Sequence, residues 1–284
     1  PMMTGEVLVP RDGARLALRR WEAEGAPKAV IVALHGMSDY SNAFAMPGAV
    51  WAKKGITTIA YDQRGFGQNA NPGIWPGADT MRADLADAVD AARAQYPGVP
   101  VFALGESMGG AVVLTALASG TLSRINGAIL VAPAVWSRGD MPLTHRAALF
   151  IAAHVMPGMI LSNNAGRAIA RITPSDNVPM MQALGRDPLF QKRTRTDTVY
   201  GLVNLMDEAR TAPQRLVNPP PILFLHGEKD QVIPPAPTRA VVTDLGNRAT
   251  VRRYANGYHM LLRDLQAQVV DDDVADWVLG LKKD

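Results

Sequence analysis

The residues of this chain with a capacity for chemistry begin at Gly105-Glu106-Ser107-Met108-Gly109-Gly110, which follows the apolar run VPVFAL and opens AVVLTALA. A short apolar run bounded by glycine reads as a buried strand and the longer run after it as a helix, so Ser107 falls on a tight strand-to-helix bend. Glycines two residues to either side spare such a bend its Cβ clashes, and the start of the helix offers unused N–H groups. The competing reading is a glycine-rich connection with an idle serine. A serine hydroxyl is a weak nucleophile, and it requires a base within hydrogen-bond reach and an acid to orient that base.

Five histidines allow a choice by elimination. His35 and His226 sit in Leu-His-Gly at the ends of apolar runs, and His145 and His154 fall in a segment without a strand pattern. His259, in Tyr254-Ala-Asn-Gly-Tyr-His259, lies between the last strand pattern and the last helix, which is the place of the base in a Ser…Asp…His chain order. Its bland alternative is a cap on the C-terminal helix. The acid belongs after a strand between serine and histidine, and Asp230 in Gly227-Glu228-Lys229-Asp230 fits, with Glu228 and the more distant Asp207 as alternatives and a plain surface turn as the structural reading. An oxyanion needs donors too. The first is the backbone N–H of Met108, after the nucleophile, and the second is most simply that of Met37, where Gly36 lets the chain turn sharply after AVIVAL. An ordinary βα turn is the alternative there.

Other chemistries find little support. Gly65-Phe66-Gly67-Gln68-Asn69-Ala70 matches the loose dinucleotide fingerprint G-x-G-x-x-A, but Asn71-Pro72-Gly73 and Trp75-Pro76-Gly77 follow where a helix would have to start. There is no phosphate loop, no H-E-x-x-H and no His/Asp/Glu cluster at metal-ligand spacing, and the absence of cysteine removes thiolate sites and disulfides. The expectation is a site with no cofactor and no metal. A net charge of +3, with 19% charged residues of both signs, lacks the clustered Lys/Arg stripe of a nucleic-acid binder.

The elements that must position these residues follow from periodicity. Two alternating segments, GEVLVP and ARLALRRWEA, joined at Arg11-Asp12-Gly13, predict an antiparallel start. Strands are then expected at 29–36, 56–62, 99–106 and 125–133, with helices near 44–54, 79–95 and from 107. Continuous apolar strands alternating with helices imply parallel crossovers and a sheet buried on both faces. From about Ala134 to Asn218 no strand is expected; a strand returns at 221–227, followed by a helix at 235–245, a strand at 249–255 and a last helix over about 262–281. The fold class is α/β: a mostly parallel central sheet of about eight strands flanked by helices, with core parts 1–133 and 219–284 and a helical cap insertion at 134–218.

With these residues in hand the chain resembles the monoacylglycerol lipase and lysophospholipase group of α/β-hydrolases, over nearly its full length outside the insertion. The carrying motifs are LHGMSDYS at 34–41, YDQRGFGQN at 61–69, GESMGG at 105–110, HGEKDQVIP at 226–234 and GYHMLLRDL at 257–265. The resemblance implies Ser107 as nucleophile, Asp230 and His259 as acid and base, and Met37 and Met108 as backbone oxyanion donors. It also implies a lid over an acyl-binding cleft. The expected activity is hydrolysis of a small-molecule ester or lipid, monoacylglycerol or lysophospholipid in type. Alternatives are a small-ester carboxylesterase, an aminopeptidase or carbon–carbon hydrolase on the same triad, or a binding protein on the same fold.

The insertion carries Leu149, Phe150, Ile151, Val155, Met156, Met159, Ile160, Leu161, Met180 and Met181. Most such residues on an amphipathic helix simply pack on what lies beneath. Methionine is adaptable, however, and suits an acyl cleft, and a cap of this composition is expected to touch membrane surfaces transiently. Its most apolar stretch, Ala147 to Leu161, is shorter than the roughly 20 residues of a spanning helix and is broken at Pro157-Gly158. The expected compartment is the cytoplasm, or the periplasm or a membrane attachment if a leader preceded Pro1.

Overall fold

The structure, a computed structural model, describes residues 1–162 and 172–280. The chain enters through an antiparallel ribbon of β1 (Met2–Thr4), β2 (Val7–Val9) and β3 (Leu16–Trp21). β1 lies ahead of the first expected segment and turns back onto β2 at Gly5, where φ is 55°, so the sheet has nine strands and not about eight. Next come β4 (Ala29–Leu34), β5 (Ile56–Tyr61), β6 (Val101–Glu106), β7 (Gly127–Val131), β10 (Ile222–Gly227) and β11 (Ala249–Tyr254). The spatial order is β1-β2-β3-β5-β4-β6-β7-β10-β11, and every pairing from β5 to β11 is parallel.

Burial on both faces explains the unbroken apolar runs. In β4, Val30, Val32 and Leu34 face one hydrophobic layer while Ala29, Ile31 and Ala33 face the other. The first layer is closed by α2 (Ala78–Gln95), α3 (Met108–Ala118) and α7 (Pro235–Leu245), through residues such as Leu85, Val112 and Val241. The second is closed by α1 (Ala45–Lys53) and α8 (Ala267–Gly280), where Trp51 packs with Val270 and Val274 and donates its Nε1–H to the Asp271 carbonyl at 2.9 Å. The last helix therefore begins at 267 and not near 262, because Met260 to Gln266 are spent in tight turns: the N–H groups of Arg263 and Asp264 both reach the Met260 carbonyl. Position 281, its expected end, lies outside the described residues.

Between β7 and β10 run α4 (Leu143–Val155), β8 (Ile160–Ser162), α5 (Val178–Arg186), β9 (Arg193–Arg195) and α6 (Thr196–Thr211), with 163–171 outside the described residues. The expectation of no strand here is corrected, since β8 and β9 pair antiparallel. Three-residue strands carry neither alternation nor an apolar run, and this pair is fixed by context: the Thr196 and Asp197 N–H groups reach back to the carbonyls of Met159 and Pro157. α6 packs on α3 and buries Leu205, Met206 and Ala209 against the core.

Candidate active site

The carboxyl ends of β4, β6, β10 and β11 open onto one edge of the sheet, where parallel α/β sheets present their sites. At the end of β6, Ser107 adopts φ 54° and ψ −115°, a conformation that costs a residue with a Cβ about 1–3 kcal/mol. Surrounding structure imposes it: the Ser107 N–H donates to the Val131 carbonyl at 2.9 Å, and the Ser107 carbonyl accepts from Ala134 N–H at 2.9 Å. The flanking glycines are required by close approach. A Cβ on Gly105 would lie 2.2 Å from the Gly109 carbonyl oxygen, and one on Gly109 would lie 2.3 Å from that of Leu34.

On the loop after β11, His259 places Nε2 3.0 Å from Ser107 Oγ and Nδ1 2.8 Å from Asp230 Oδ2. His259 is 6% exposed and the Asp230 side chain 8%. The second Asp230 oxygen accepts the N–H groups of Val232 and Ile233 at 2.8 and 2.9 Å. Burial pushes the Asp230 carboxyl up, but the adjacent imidazole and these donors outweigh it and hold the group below its ordinary value. The carboxyl therefore meets the ring through one oxygen and the backbone through the other. The two sequence alternatives are engaged elsewhere: Glu228 is half exposed and faces Arg253 at 3.5 Å, and Asp207 pairs with Arg138 at 2.6 Å.

The loop after β4 lies against the serine, for a Cβ on Gly36 would come within 3.2 Å of Ser107 Cβ. Ser38 holds φ 71°, and Asp39 N–H turns back onto the Gly36 carbonyl at 3.3 Å. Among the described residues, neither the Met37 nor the Met108 N–H has an acceptor. His35 is buried beneath, its Nε2 accepting Gln63 N–H at 2.9 Å and its Nδ1 meeting the Gly36 carbonyl at 2.8 Å, and burial pushes its pKa down. That ring holds the turn. Gly65-Phe66-Gly67 forms a turn, and the next helix, α2, starts only at Ala78, so no helix N-terminus faces a nucleotide there.

Sequence reasoning missed two features. First, Arg263, four residues after His259, lies buried between Asp39 and Glu106. The only hint was a charged residue ending the otherwise apolar VFALGE. Second, residues 173–191 are stitched to the site loops after β4, β10 and β11. Gln191 N–H reaches the Ser38 carbonyl (2.8 Å), Met260 N–H the Pro174 carbonyl (3.0 Å), Asn177 Nδ2 the Arg263 carbonyl (2.7 Å) and Thr173 N–H the Gln231 side chain (3.0 Å). Above them the apolar residues of 143–161 do not all pack down: Phe150, Ile151, Val155, Met156, Ile160 and Leu161 are exposed, Val155 by 71%. Among the described residues no helix is long and apolar enough to cross a membrane, and no group of three or more His, Asp or Glu is placed to hold a metal.

A strained serine on a strand-to-helix bend, set in a mostly parallel sheet with helices on both faces, defines an α/β-hydrolase. Residues 25–266 match the hydrolase family described as serine aminopeptidase, S33, and the chain belongs to it. It is 27% identical over 263 residues to monoglyceride lipase of Homo sapiens, spanning 91% of this chain and 84% of that protein. It is 24% identical over 272 residues to monoacylglycerol lipase of Mycolicibacterium smegmatis, spanning 94% of each. In fold it matches a soluble variant of monoglyceride lipase from Saccharomyces cerevisiae with a TM-score of 0.81 at 18% identity, covering 100% of this chain and 98% of that one. The α/β-hydrolase resemblance carried by the five motifs is thereby borne out.

Proposed function

We propose that the protein hydrolyses carboxylic esters of the monoacylglycerol or lysophospholipid type through an acyl-enzyme on Ser107. The observation that carries this is the unbroken relay from Asp230 through His259 to Ser107 Oγ, beside two unengaged N–H groups. Ser107 Oγ attacks the ester carbonyl carbon and its proton passes to His259 Nε2, while the Met37 and Met108 N–H groups receive the oxyanion. His259 then gives that proton to the leaving alcohol as the C–O bond breaks. Water attacks the acyl-enzyme by the same route in reverse roles, returning the serine and releasing the acid. Asp230 stays ionised and fixes the ring throughout.

Esters are favoured over peptide amines by the carboxylates of 134–218. A free amine needs an acid to hold it, yet Asp140, Asp176, Asp187, Asp197, Asp207 and Glu208 are each already engaged by an N–H, hydroxyl or guanidinium group. In this reading 1–133 and 219–284 form the core and 134–218 the cap. The exposed apolar side chains of α4 and β8 make its transient contact with lipid, in keeping with the relatives named monoglyceride lipase.

The test has two arms. A fluorophosphonate should label the wild type at Ser107, and Ser107→Ala should lose roughly 10⁶ in kcat, the scale measured for a triad nucleophile. Labelling that survives the substitution overturns the assignment. Each buried methylene adds up to about 0.8 kcal/mol, so kcat/KM should rise from acetyl to medium-chain esters. Activity that is highest for acetyl and falls with every added carbon leaves a small-ester hydrolase.

A further inference from the structure

We infer that Arg263 is a positioning residue for ester hydrolysis, tying the loop that presents the Met37 N–H to the segment that carries His259. The inference rests on the reading of Ser107, His259 and Asp230 as the triad. Arg263 Nη2 lies 2.8 Å from Asp39 Oδ2 and 3.6 Å from Glu106 Oε1, and the three side chains are exposed by only 7, 4 and 4%. Each comes from a different part of the site. Asp39 is two residues beyond Met37, Glu106 immediately precedes Ser107, and Arg263 is four residues beyond His259.

Stability alone does not account for this cluster. Buried ions contribute little net stability unless every polar atom is satisfied, and apolar replacements of similar volume are often as stable. Here one guanidinium serves two carboxylates, and Arg263 Nε and Glu106 Oε2 have no hydrogen-bond partner among the described residues. What the arrangement does supply is register. The other oxygen of Asp39 accepts Tyr40 N–H at 2.9 Å and so fixes the turn after Met37, while the Arg263 carbonyl accepts from Asn177 Nδ2. The segment bearing the base is thus held at Arg263 twice, through its side chain by Asp39 and through its main chain by Asn177. Burial pushes the Glu106 carboxyl up, with Arg263 pulling against it, so removal of the cation would leave two buried acids beside the nucleophile turn.

The experiment uses the full chain, p-nitrophenyl butyrate, and kcat expressed per serine labelled to completion by fluorophosphonate. Arg263→Gln should lower kcat on the order of 10² with KM little changed, because a displacement near 1 Å of an oxyanion donor or base is felt in the transition state. Arg263→Lys, whose ammonium reaches one carboxylate, should recover part of the loss. Should Arg263→Gln not fold, Asp39→Asn removes the same tie at nearly constant volume and should show the same split. A folded Arg263→Gln or Asp39→Asn with wild-type kcat per labelled serine, or with its loss confined to KM, overturns the inference while leaving the triad standing. A wild type that hydrolyses esters without label at Ser107 overturns the triad and this inference together.

Discussion

At Asp230 the two carboxylate oxygens have separate tasks, one on His259 Nδ1 and the other on two backbone N–H groups. Asp230→Asn should therefore fold normally and lose about 10⁴ in kcat, the effect of the same change in a Ser-His-Asp triad that leaves the wrong imidazole tautomer. Glu228→Gln, half exposed and facing Arg253, should leave kcat near wild type, and steady-state kinetics of the pair separates them. The backbone at position 107 gives a second test. An Ala there keeps the strain of about 1–3 kcal/mol, while a Gly relieves it against an entropic cost of about 0.5–1 kcal/mol. Of two inactive variants, Ser107→Gly should melt above Ser107→Ala in thermal denaturation. That Ser107, Asp230 and His259 would meet was legible because Ser107 follows directly on a strand, the other two lie on loops a few residues past strands, and the chain order left one histidine. Arg263 was not, since its partner Asp39 is 224 residues away in sequence and the two meet only once the sheet has brought the loops after β4 and β11 together.

Strands buried on both faces announced themselves as apolar runs, and β4 to β7 fall within a few residues of their expected places. The elements between β7 and β10 were less legible. β8 and β9 are short, polar on one side and defined by each other, and the apolar residues of α4 follow a pattern that burial and exposure share. Ile151 and Val155 are exposed by 57 and 71% on α4. If they meet lipid, Ile151→Asp with Val155→Asp should lower co-sedimentation with phosphatidylcholine vesicles and hydrolysis of dispersed monoacylglycerols. Hydrolysis of dissolved p-nitrophenyl acetate should stay at the wild-type rate. Equal loss on both substrates would place the effect inside the site.

Across the whole molecule, the helical layer formed by α1 and α8 closes over a carboxyl that water does not reach. Burial, with Asp272, Asp264 and Glu106 nearby and Lys54 opposing, raises Asp271 to about 8 from its ordinary 3.8, and its Oδ1 has no hydrogen-bond partner among the described residues. The folded protein holds this proton more tightly than the unfolded chain. Stability from the protonated carboxyl is therefore complete below 3.8, declines as pH rises, and is gone once the native group ionises above about 8. Asp271→Asn should melt only slightly above the wild type near about pH 5 and by its widest margin near about pH 8.5, measured by parallel thermal scans. At the same scale, the stitching of 173–191 to the site loops bears on how such proteins diversify. Since the Ser38 carbonyl and the Met260 N–H bond to Gln191 and Pro174, residues 134–218 borrowed from a relative must bring substitutes for those two bonds or leave the loops after β4 and β11 without them. A chimera that exchanges residues 134–172 while keeping 173–218 retains both bonds.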